Sequence, residues 1–486
     1  MTNSLELLSQ ISEANTYRLD LIKQLMMQKW LAETAEIMKL GSLRVLIVLS
    51  QQPSGTGSGI FLREVVDELQ KLGHRPYLLA AHYRPLSSVD FPSLSDGQIY
   101  TMIFDNKENT DIAEISFAIP GMSLDMPYLH VTFRSLSEAM LNEYCDAWIA
   151  KLQTVVEKIR PHLIHVNHLW LLPGIARVAV PWIPIVATSH GTDYKLLVDA
   201  PKFAPLVLPG VQHLDAVMPI SSDTANASVT TFGVHPDKVH VIGNGYNEHL
   251  FRVLPQGGGD HILWKLLGQF QDLPSWNKLV LYVGKFADYK GVPYLIRAAK
   301  LYSEVSPDNV LTLIVGEGSK QARVNLEKLV EDLGLMNRVL LPGKLPYPEV
   351  GSLMNTANVF ILPSVDEPFG LVLLEALACG LRSVAADRGG PSFFVPEDLR
   401  EKALVTLIKP LKLLEPQRPD PSDEDRYTVD MATAILHHLS FERSDQERQQ
   451  IANAVRDQTW SAKVKEIVQV YTSAIQLRRQ AVVRGS

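Results

Sequence analysis

Short apolar runs alternate with glycine turns and helical segments along most of the chain, and this alternation constrains the fold more than any other feature. The first run covers residues 43–50 and is rich in branched side chains, and the glycine loop Gly55-Thr-Gly-Ser-Gly59 follows it. Apolar residues then recur at helical spacing as far as Gly73. Strands separated by helices in this way form parallel sheets that are covered on both faces. The sequence therefore predicts an α/β fold.

The same alternation occurs in two blocks, which predicts two doubly wound domains. A chain of 486 residues also exceeds one ordinary hydrophobic core. In the first block we predict strands at 43–50, 163–166, 185–188, 216–219 and 239–242. In the second block we predict strands at 278–283, 311–315, 339–341, 359–362 and 383–385, with a helix at 321–333. The proline- and glycine-rich segment 254–260 between the blocks is the best candidate for a linker. Ligands of such domains bind at the carboxyl ends of the strands, here expected to face a cleft.

The predicted domains are an N-terminal helical extension (1–42), an N-terminal lobe (43–255), a C-terminal lobe (256–458) and a C-terminal helix (459–486). The extension combines scattered apolar residues with several acidic residues that offset its few lysines. An amphipathic helix packed on its own domain is therefore favoured over a helix that binds a partner or a membrane surface.

Composition excludes several classes of function. The net charge of −7 and the pI near 6.1 give no basic surface for nucleic acid. Two widely separated cysteines, Cys145 and Cys379, indicate a reducing compartment without disulfides or structural zinc. No apolar run reaches the roughly 18–20 residues of a membrane span. The first residues also lack the pattern of a signal peptide. A cytoplasmic protein without an integral membrane segment is expected.

The strongest motif lies between Pro363 and Gly390. A predicted strand ends at 362, and the loop Pro363-Ser-Val-Asp-Glu-Pro-Phe-Gly370 leads into a helix. Backbone N–H groups at a helix start favour an anion, and a glutamate one turn inside the helix can accept two ribose hydroxyls. The residues expected to carry these roles are Glu367 for a sugar, Phe369, Gly370 and Leu371 for phosphate, and Glu375 for ribose.

This stretch, with two glutamates eight positions apart, Pro-Phe-Gly between them and Ala-Leu-Ala-Cys-Gly after them, resembles the donor site of glycosyltransferase family 4. Those enzymes are retaining glycosyltransferases of the GT-B fold, which has two Rossmann-like lobes with a cleft between them. The resemblance covers about residues 43–478, and it implies that the C-terminal helix returns to the N-terminal lobe. It further implies transfer of a hexosyl unit from a nucleoside diphosphate sugar to an acceptor hydroxyl. No cofactor is expected beyond this co-substrate.

A second motif, with two lysines, agrees with this resemblance. The segment Tyr282-Val-Gly284-Lys285-Phe-Ala-Asp-Tyr-Lys290-Gly places two cations after a predicted strand, where they can neutralise a diphosphate. Glycine turns follow the next two strands, and there the resemblance assigns Gly316, Lys344 and Leu345 to the nucleotide. Glycine turns of this kind also occur where only close packing requires a glycine, without any ligand. The family usually has arginine in place of Lys285, so the bidentate clamp of a guanidinium is lost.

Three segments of the N-terminal lobe resemble the family's cleft motifs. Gly57, Ser58 and Gly59 match a glycine loop that approaches the donor phosphate, and His190 in Ser-His-Gly-Thr-Asp matches a histidine that contacts the donor sugar. We expect the acceptor to be bound by Asn167, His168 and Asp193, with residues 91–134 shaping the pocket. The predicted catalytic set is His190, Glu367, Lys290 and Lys285.

One position departs from the family pattern. After Gly389-Gly390-Pro391 the family often has a glutamate two positions on, and this chain has Phe393. The change is expected to affect how this helix start supports the donor loop.

No metal ion is expected. The Asp-x-Asp triplet at Asp423 and Asp425 lies in a hydrophilic loop ahead of a helix, where solvated or capping residues are the simpler interpretation. The two lysines and the helix amides would take the metal's role. Uridine is the first choice of base, while guanosine and adenosine stay open. Two alternatives also stay open: a GT-B sugar-nucleotide epimerase and a catalytically silent GT-B scaffold for a partner enzyme.

Overall fold

Each of two units is built around a six-stranded parallel sheet. The computed structural model describes residues 24–35, 41–123, 126–270, 273–415 and 418–485. The first unit contains the described residues up to Pro219, Ala225–His240 and the described residues from Val464 onward. The second contains Ile220–Thr224 and Val241–Lys463. The predicted fold of two doubly wound, parallel-sheet lobes is confirmed.

The first sheet has the strand order β3-β2-β1-β6-β7-β8. Its strands are β1 (Arg44–Leu49), β2 (Arg75–His82), β3 (Ile99–Ile103), β6 (Leu163–Asn167), β7 (Ile185–Ser189) and β8 (Ala216–Pro219). The short strands β4 (Pro120–Gly121) and β5 (Val131–Thr132) pair separately. Residues 45–49 of β1 are fully buried, as a central strand between two helical layers must be.

Helices connect and cover these strands. They are α1 (residues 24–35), α2 (Gly57–Lys71), α3 (Glu138–Ile159), α4 (Leu171–Ala179), α5 (Thr192–Asp199), α6 (Ala204–Gln212), α7 (Ser222–Thr230) and, at the end of the chain, α17 (Trp460–Gly485). In α1, Trp30 is buried and its Nε1 donates to the carbonyl oxygen of His162 at 3.1 Å. Helix α1 is thus packed on the first unit. The rest of the predicted extension, apart from residues 41 and 42, lies outside the described residues.

The prediction of a strand at 239–242 is wrong. Only Val239 forms an isolated bridge, to Val217, and Val241 is exposed. Gly243 follows with φ +78°, which turns the chain away before a strand can extend. Two strands of the six-stranded sheet, β2 and β3, were missed, as was the short pair formed by β4 and β5.

The second sheet repeats the same topology with the order β11-β10-β9-β12-β13-β14. Its strands are β9 (Lys278–Val283), β10 (Val310–Val315), β11 (Val339–Gly343), β12 (Val359–Leu362), β13 (Arg382–Ala386) and β14 (Val405–Ile408), and a short antiparallel pair is formed by β15 (Leu413–Glu415) and β16 (Arg418–Pro419). Apolar clusters lie on both faces of the sheet. In both sheets the strand order reverses beside the first strand, and ligands of doubly wound sheets bind at this position.

The helices of the second unit are α8 (Asp260–Leu267), α9 (Val292–Val305), α10 (Lys320–Asp332), α11 (Tyr347–Met354), α12 (Leu371–Ala378), α13 (Gly390–Phe394), α14 (Glu397–Glu401), α15 (Glu424–Leu439) and α16 (Asp445–Ala454). The segment predicted as a linker packs within this unit. Leu254 N donates to Asn355 Oδ1 at 2.8 Å, and Arg448 donates to the Leu254 carbonyl at 2.9 Å. The chain passes between the units at Pro219–Ala225, His240–Val241 and Lys463–Val464.

Among the described residues, no helix combines the length and the apolar character that crossing a membrane requires.

Candidate functional site

Three loops at the carboxyl ends of β9, β10 and β11 are joined by backbone hydrogen bonds. Gly284 N donates to the Val315 carbonyl at 2.9 Å, and Gly316 N donates to the Gly343 carbonyl at 2.9 Å. Gly316 has φ +151°, and a Cβ there would lie 1.7 Å from the Gly284 carbonyl oxygen. The structure thus brings together the predicted glycines Gly284 and Gly316, because only glycine permits this approach.

The cation Lys290 lies where the strand order of the second sheet reverses. It ends a 3₁₀ turn after β9, and its Nζ is 2.7 Å from Oε2 of Glu367, which lies in the loop after β12. Burial alone would lower the pKa of Lys290, but the Glu367 carboxylate, together with Tyr289 and Asp366, outweighs it and holds the pKa above its ordinary value. Two predicted catalytic residues that are 77 positions apart in sequence are therefore in direct contact.

The other predicted lysine, Lys285, follows β9 directly. The hydroxyl of buried Tyr282 donates to the Lys285 carbonyl oxygen at 3.0 Å. Burial raises the pKa of Tyr282 well above its ordinary value, with the Glu367 charge contributing, so this phenol stays protonated as a donor. The backbone of the Lys285 turn is consequently fixed.

The loop that contains Glu367 leads into α12 through a left-handed residue. Gly370 has φ +85° and is the N-cap residue, and Leu371 begins the helix. Phe369 is buried and stacks on Phe394 of α13, with ring centroids 4.8 Å apart. The predicted residues Phe369, Gly370 and Leu371 therefore surround a helix N-terminus, where backbone N–H groups favour anions.

Glu375, the predicted ribose residue, lies in α12 and is only 3% exposed. Its Oε1 accepts a hydrogen bond from the hydroxyl of Tyr347, the first residue of α11. An edge-to-face contact with Phe251 supports the Tyr347 ring. Tyr347 was missed by the sequence analysis, because nothing in the spacing of a tyrosine at a helix start indicates a partner 28 residues later.

The remaining predicted nucleotide residues follow β11. Lys344 is exposed and forms an ion pair with Glu317 at 2.7 Å, while Leu345 is buried. The side chain of Leu345 belongs to the apolar cluster on one face of the sheet. Main-chain contact of these two residues with a base stays a prediction.

Phe393 lies on α13, next to Phe394, which stacks on Phe369 in the loop before α12. It is 38% exposed, and its ring would be 3.4 Å from a Cβ placed on Gly243. The same Cβ would be 3.5 Å from the ring of Phe369. Phe393 therefore contributes an aromatic surface near the entry to α12, where the family often has a charge.

In the first unit, the glycine loop forms the N-terminus of α2. The Thr56 side chain caps the helix by accepting from Gly59 N at 3.0 Å. A Cβ on Gly59 would lie 2.1 Å from the Pro53 carbonyl oxygen, so this glycine allows close packing of the loop. Gly57 begins α2, and Ser58 next to it is buried. Contact with a donor phosphate stays a prediction.

Asn167 and His190, at the ends of β6 and β7, form a buried hydrogen bond. The Asn167 amide donates to the Val48 carbonyl, so Oδ1 is left as the acceptor for His190 Nε2 at 2.9 Å. His190 Nε2 therefore carries a proton. Burial lowers the pKa of His190 well below its ordinary value, and the neighbouring His168 adds to this effect. His190 is thus a neutral imidazole whose Nδ1 is an acceptor.

Asp193 connects the other histidine to the same strand end. Its Oδ1 accepts from His168 Nδ1 at 2.8 Å, and its Oδ2 accepts from Ser189 Oγ and His190 N at 2.8 and 3.0 Å. Burial alone would raise the pKa of Asp193, but His168, His190 and the Ser189 hydroxyl together outweigh it and hold the pKa below its ordinary value. Asp193 is fully buried, and both of its carboxylate oxygens accept hydrogen bonds from groups of the protein itself. His168 itself has φ +74°, in the left-handed region that residues other than glycine adopt uncommonly.

The Asp-x-Asp triplet is engaged in ion pairs and hydrogen bonds. The Asp423 carboxylate accepts from Arg426 at 2.7 Å and from Lys412 N at 2.8 Å, and Asp425 lies in the first turn of α15. Within the described residues, no group of three or more His, Cys, Asp or Glu side chains has the arrangement of a metal site.

Comparisons with known proteins show which family the chain resembles. Residues 55–250 match the family model for Glycosyltransferase Family 4, and residues 269–399 match the model for Glycosyl transferases group 1. A D-inositol 3-phosphate glycosyltransferase of Thermomonospora curvata is 31% identical over 335 residues, which is 64% of this chain and 71% of that protein. One from Thermobispora bispora is 26% identical over 415 residues, which is 81% and 90% of the two chains.

Solved structures share the fold at lower identity. Sucrose-phosphate synthase from Thermosynechococcus elongatus has a TM-score of 0.61 at 19% identity and covers 90% of this chain and 100% of its own. The Anabaena protein Alr3699/HepE, in complex with UDP and glucose, has a TM-score of 0.63 at 18% identity, with 89% and 100% covered. Together with the family models and the relatives, these likenesses establish that the chain belongs to glycosyltransferase family 4, whose members have the GT-B fold.

Proposed function

We propose that this protein is a retaining hexosyltransferase that moves a sugar from a uridine diphosphate sugar to an acceptor hydroxyl. The observation that carries the proposal is the contact of Lys290 with Glu367, where the strand order of the second sheet reverses and beside the helix that contains Glu375. A cation for phosphate, a carboxylate for sugar hydroxyls and a buried carboxylate for ribose are the groups that a nucleotide sugar requires. The choice of uridine is supported by the Anabaena protein Alr3699/HepE, whose structure was determined with UDP and glucose.

The proposed reaction needs no nucleophile from the protein. The acceptor oxygen bonds to the anomeric carbon as the bond from that carbon to the β-phosphate oxygen breaks. The acceptor's proton passes to the leaving phosphate oxygen on the same face, which retains the configuration. Negative charge grows on the diphosphate during this step, and Lys290, Lys285 and the N-terminus of α12 are proposed to stabilise it. Glu367 would orient the sugar.

The roles of residues in the first unit rest on the family resemblance. His190 is proposed to orient the donor sugar, and its neutral state suits hydrogen bonding rather than charge stabilisation. Asn167 and His168 are proposed to bind the acceptor. For Asp193 we propose a supporting role, because its carboxylate oxygens hold His168, Ser189 and the His190 backbone.

The direct test incubates the protein with UDP-glucose and D-inositol 3-phosphate, the acceptor in the names of two relatives. Released UDP is measured, and the anomeric configuration of the product is read by NMR. A parallel reaction with donor alone separates the epimerase alternative, since only an epimerase converts donor without an acceptor. A panel of sugar phosphates and polyols extends the search. An inverted product would contradict the retaining mechanism, and nucleotide binding without turnover on any acceptor would favour the scaffold.

Excess EDTA should leave the transfer rate within about twofold of its untreated value. A departing diphosphate needs cations or aligned amides, and an enzyme that lacks them recruits magnesium or manganese. Here Lys290, Lys285 and the start of α12 are proposed to supply that charge. The measurement is product formation at saturating donor and acceptor, with and without chelator. Loss of turnover that manganese restores would contradict the proposed role of the lysines.

A further inference from the structure

The loop that contains Glu367 is held from both sides by hydrogen bonds to its backbone. Val365 N donates to the Tyr289 carbonyl at 2.9 Å, and Arg388 donates to the Val365 carbonyl at 3.0 Å. Gly390 N donates to the Glu367 carbonyl at 3.2 Å. Hydrogen bonds to the loops that follow β9 and β13 therefore fix the backbone around Glu367.

The two carboxylate oxygens of Glu367 have different partners. Oε2 accepts from Ser364 Oγ at 2.9 Å and from Lys290 Nζ at 2.7 Å. Oε1 has no hydrogen-bond partner among the residues that the structure describes. Two donors on one oxygen restrict rotation of the carboxylate and leave Oε1 for a ligand. The Glu367 side chain is 12% exposed, so part of it is accessible.

Ser364 and Lys290 should respond differently to a bound nucleotide, because only one of them is charged. The Ser364 hydroxyl is neutral, so a diphosphate does not attract it as it attracts an ammonium group. Ser364 is also buried, which keeps bulk water from competing for its hydrogen bond. The serine can therefore continue to hold Oε2 while the lysine turns toward phosphate.

We propose that Ser364 is a positioning residue that sets the affinity of the site for the sugar of the donor, acting through Glu367. This inference rests on the proposed function and deepens it. The orientation of a carboxylate decides whether its lone pairs meet the sugar hydroxyls. Losing the serine hydroxyl should therefore weaken recognition of the hexose and leave recognition of the nucleotide unchanged.

The test compares the affinities of UDP and UDP-glucose by calorimetry in wild type, Ser364→Ala, Glu367→Gln and the double variant. We expect Ser364→Ala to weaken UDP-glucose binding about five- to tenfold while UDP affinity stays within twofold, since one charge-assisted hydrogen bond is lost. In the Glu367→Gln background, the same serine change should have little further effect, because the two residues act as a unit. Ser364→Thr, which keeps a hydroxyl, should recover most of the affinity for UDP-glucose.

The outcomes separate this inference from the proposed function. Wild type that binds neither ligand would contradict the uridine donor itself. Equal losses of UDP and UDP-glucose in Ser364→Ala would show a merely structural serine, and additive effects in the double variant would show that it does not act through Glu367. Melting curves of all variants establish that each is folded, and Glu367→Gln alone tests the sugar role of the carboxylate if a serine variant is unstable.

Discussion

Replacing Lys290 by methionine should reduce turnover about 10²–10³-fold, the range seen when one group that stabilises transition-state charge is removed. The affinity for UDP should fall less than turnover does, because the charge on the leaving diphosphate is greatest in the transition state. The Lys290 pKa lies above its ordinary value, so the wild-type side chain is charged throughout the neutral range. The loss should therefore be the same at pH 6 and pH 8, as measured by initial rates at saturating donor and acceptor.

The control for this variant is Lys300→Met. Lys300 lies in α9 and forms an exposed ion pair with Glu304, which contributes little. The Lys300→Met variant should therefore keep the wild-type rate of transfer. Comparable activity of Lys290→Met and wild type would place the cation outside the reaction, and a rate loss matched by an equal loss of UDP affinity would assign it to binding alone.

Replacing Gly291 by alanine should reduce UDP affinity more than tenfold and lower the melting temperature clearly. Gly291 has φ +73°, and a Cβ there would lie 1.8 Å from the Pro363 carbonyl oxygen. The left-handed conformation alone costs an alanine about 1–2 kcal/mol. The clash adds to this cost, because it forces apart the loops after β9 and β12, and these loops hold Lys290 and Glu367.

Gly334→Ala is the matched control. Gly334 has φ +68°, but a Cβ there would have no neighbour within 4 Å. This variant therefore shows the cost of the backbone conformation by itself. We expect a small drop in melting temperature and an unchanged affinity for UDP. Equal behaviour of the two variants in both measurements would contradict a close approach of the two loops.

The sequence alone was sufficient to predict the strands that are buried on both faces of a sheet. The apolar runs of β9 and β12 predicted those central strands with their observed bounds, because central parallel strands need continuous apolar residues. β8 is an edge strand, but all four of its residues are buried, and its apolar run also predicted its bounds. The missed strands lack that signal. β3 and β14 are edge strands in which some residues are only partly buried, and β2 contains Pro76. Pairing between β2 and β3 begins only at Leu78, so the missing N–H of Pro76 costs no hydrogen bond to β3.

The candidate site was predictable to the extent that its residues follow strand ends in a recognisable pattern. Glu367, Glu375 and Lys290 stand beside glycines that mark the turns. Ser364 and Tyr347 were missed because their significance depends on what they touch. A serine next to Pro363 or a tyrosine at a helix start has no distinctive spacing, and only the folded loops bring them to the two glutamates.

If the second unit binds the nucleotide of a donor sugar through Glu375, calorimetry with UDP should detect the loss of that side chain. Replacing Glu375 by alanine removes a buried, charged acceptor for ribose hydroxyls, which should cost about 1.5–3 kcal/mol, or more than tenfold in affinity. Glu327→Ala, at an exposed glutamate of α10, serves as the control and should bind UDP like wild type. We expect tight binding in wild type and control and weak binding in Glu375→Ala. Unchanged UDP affinity in a folded Glu375→Ala variant would show that Glu375 does not bind the nucleotide.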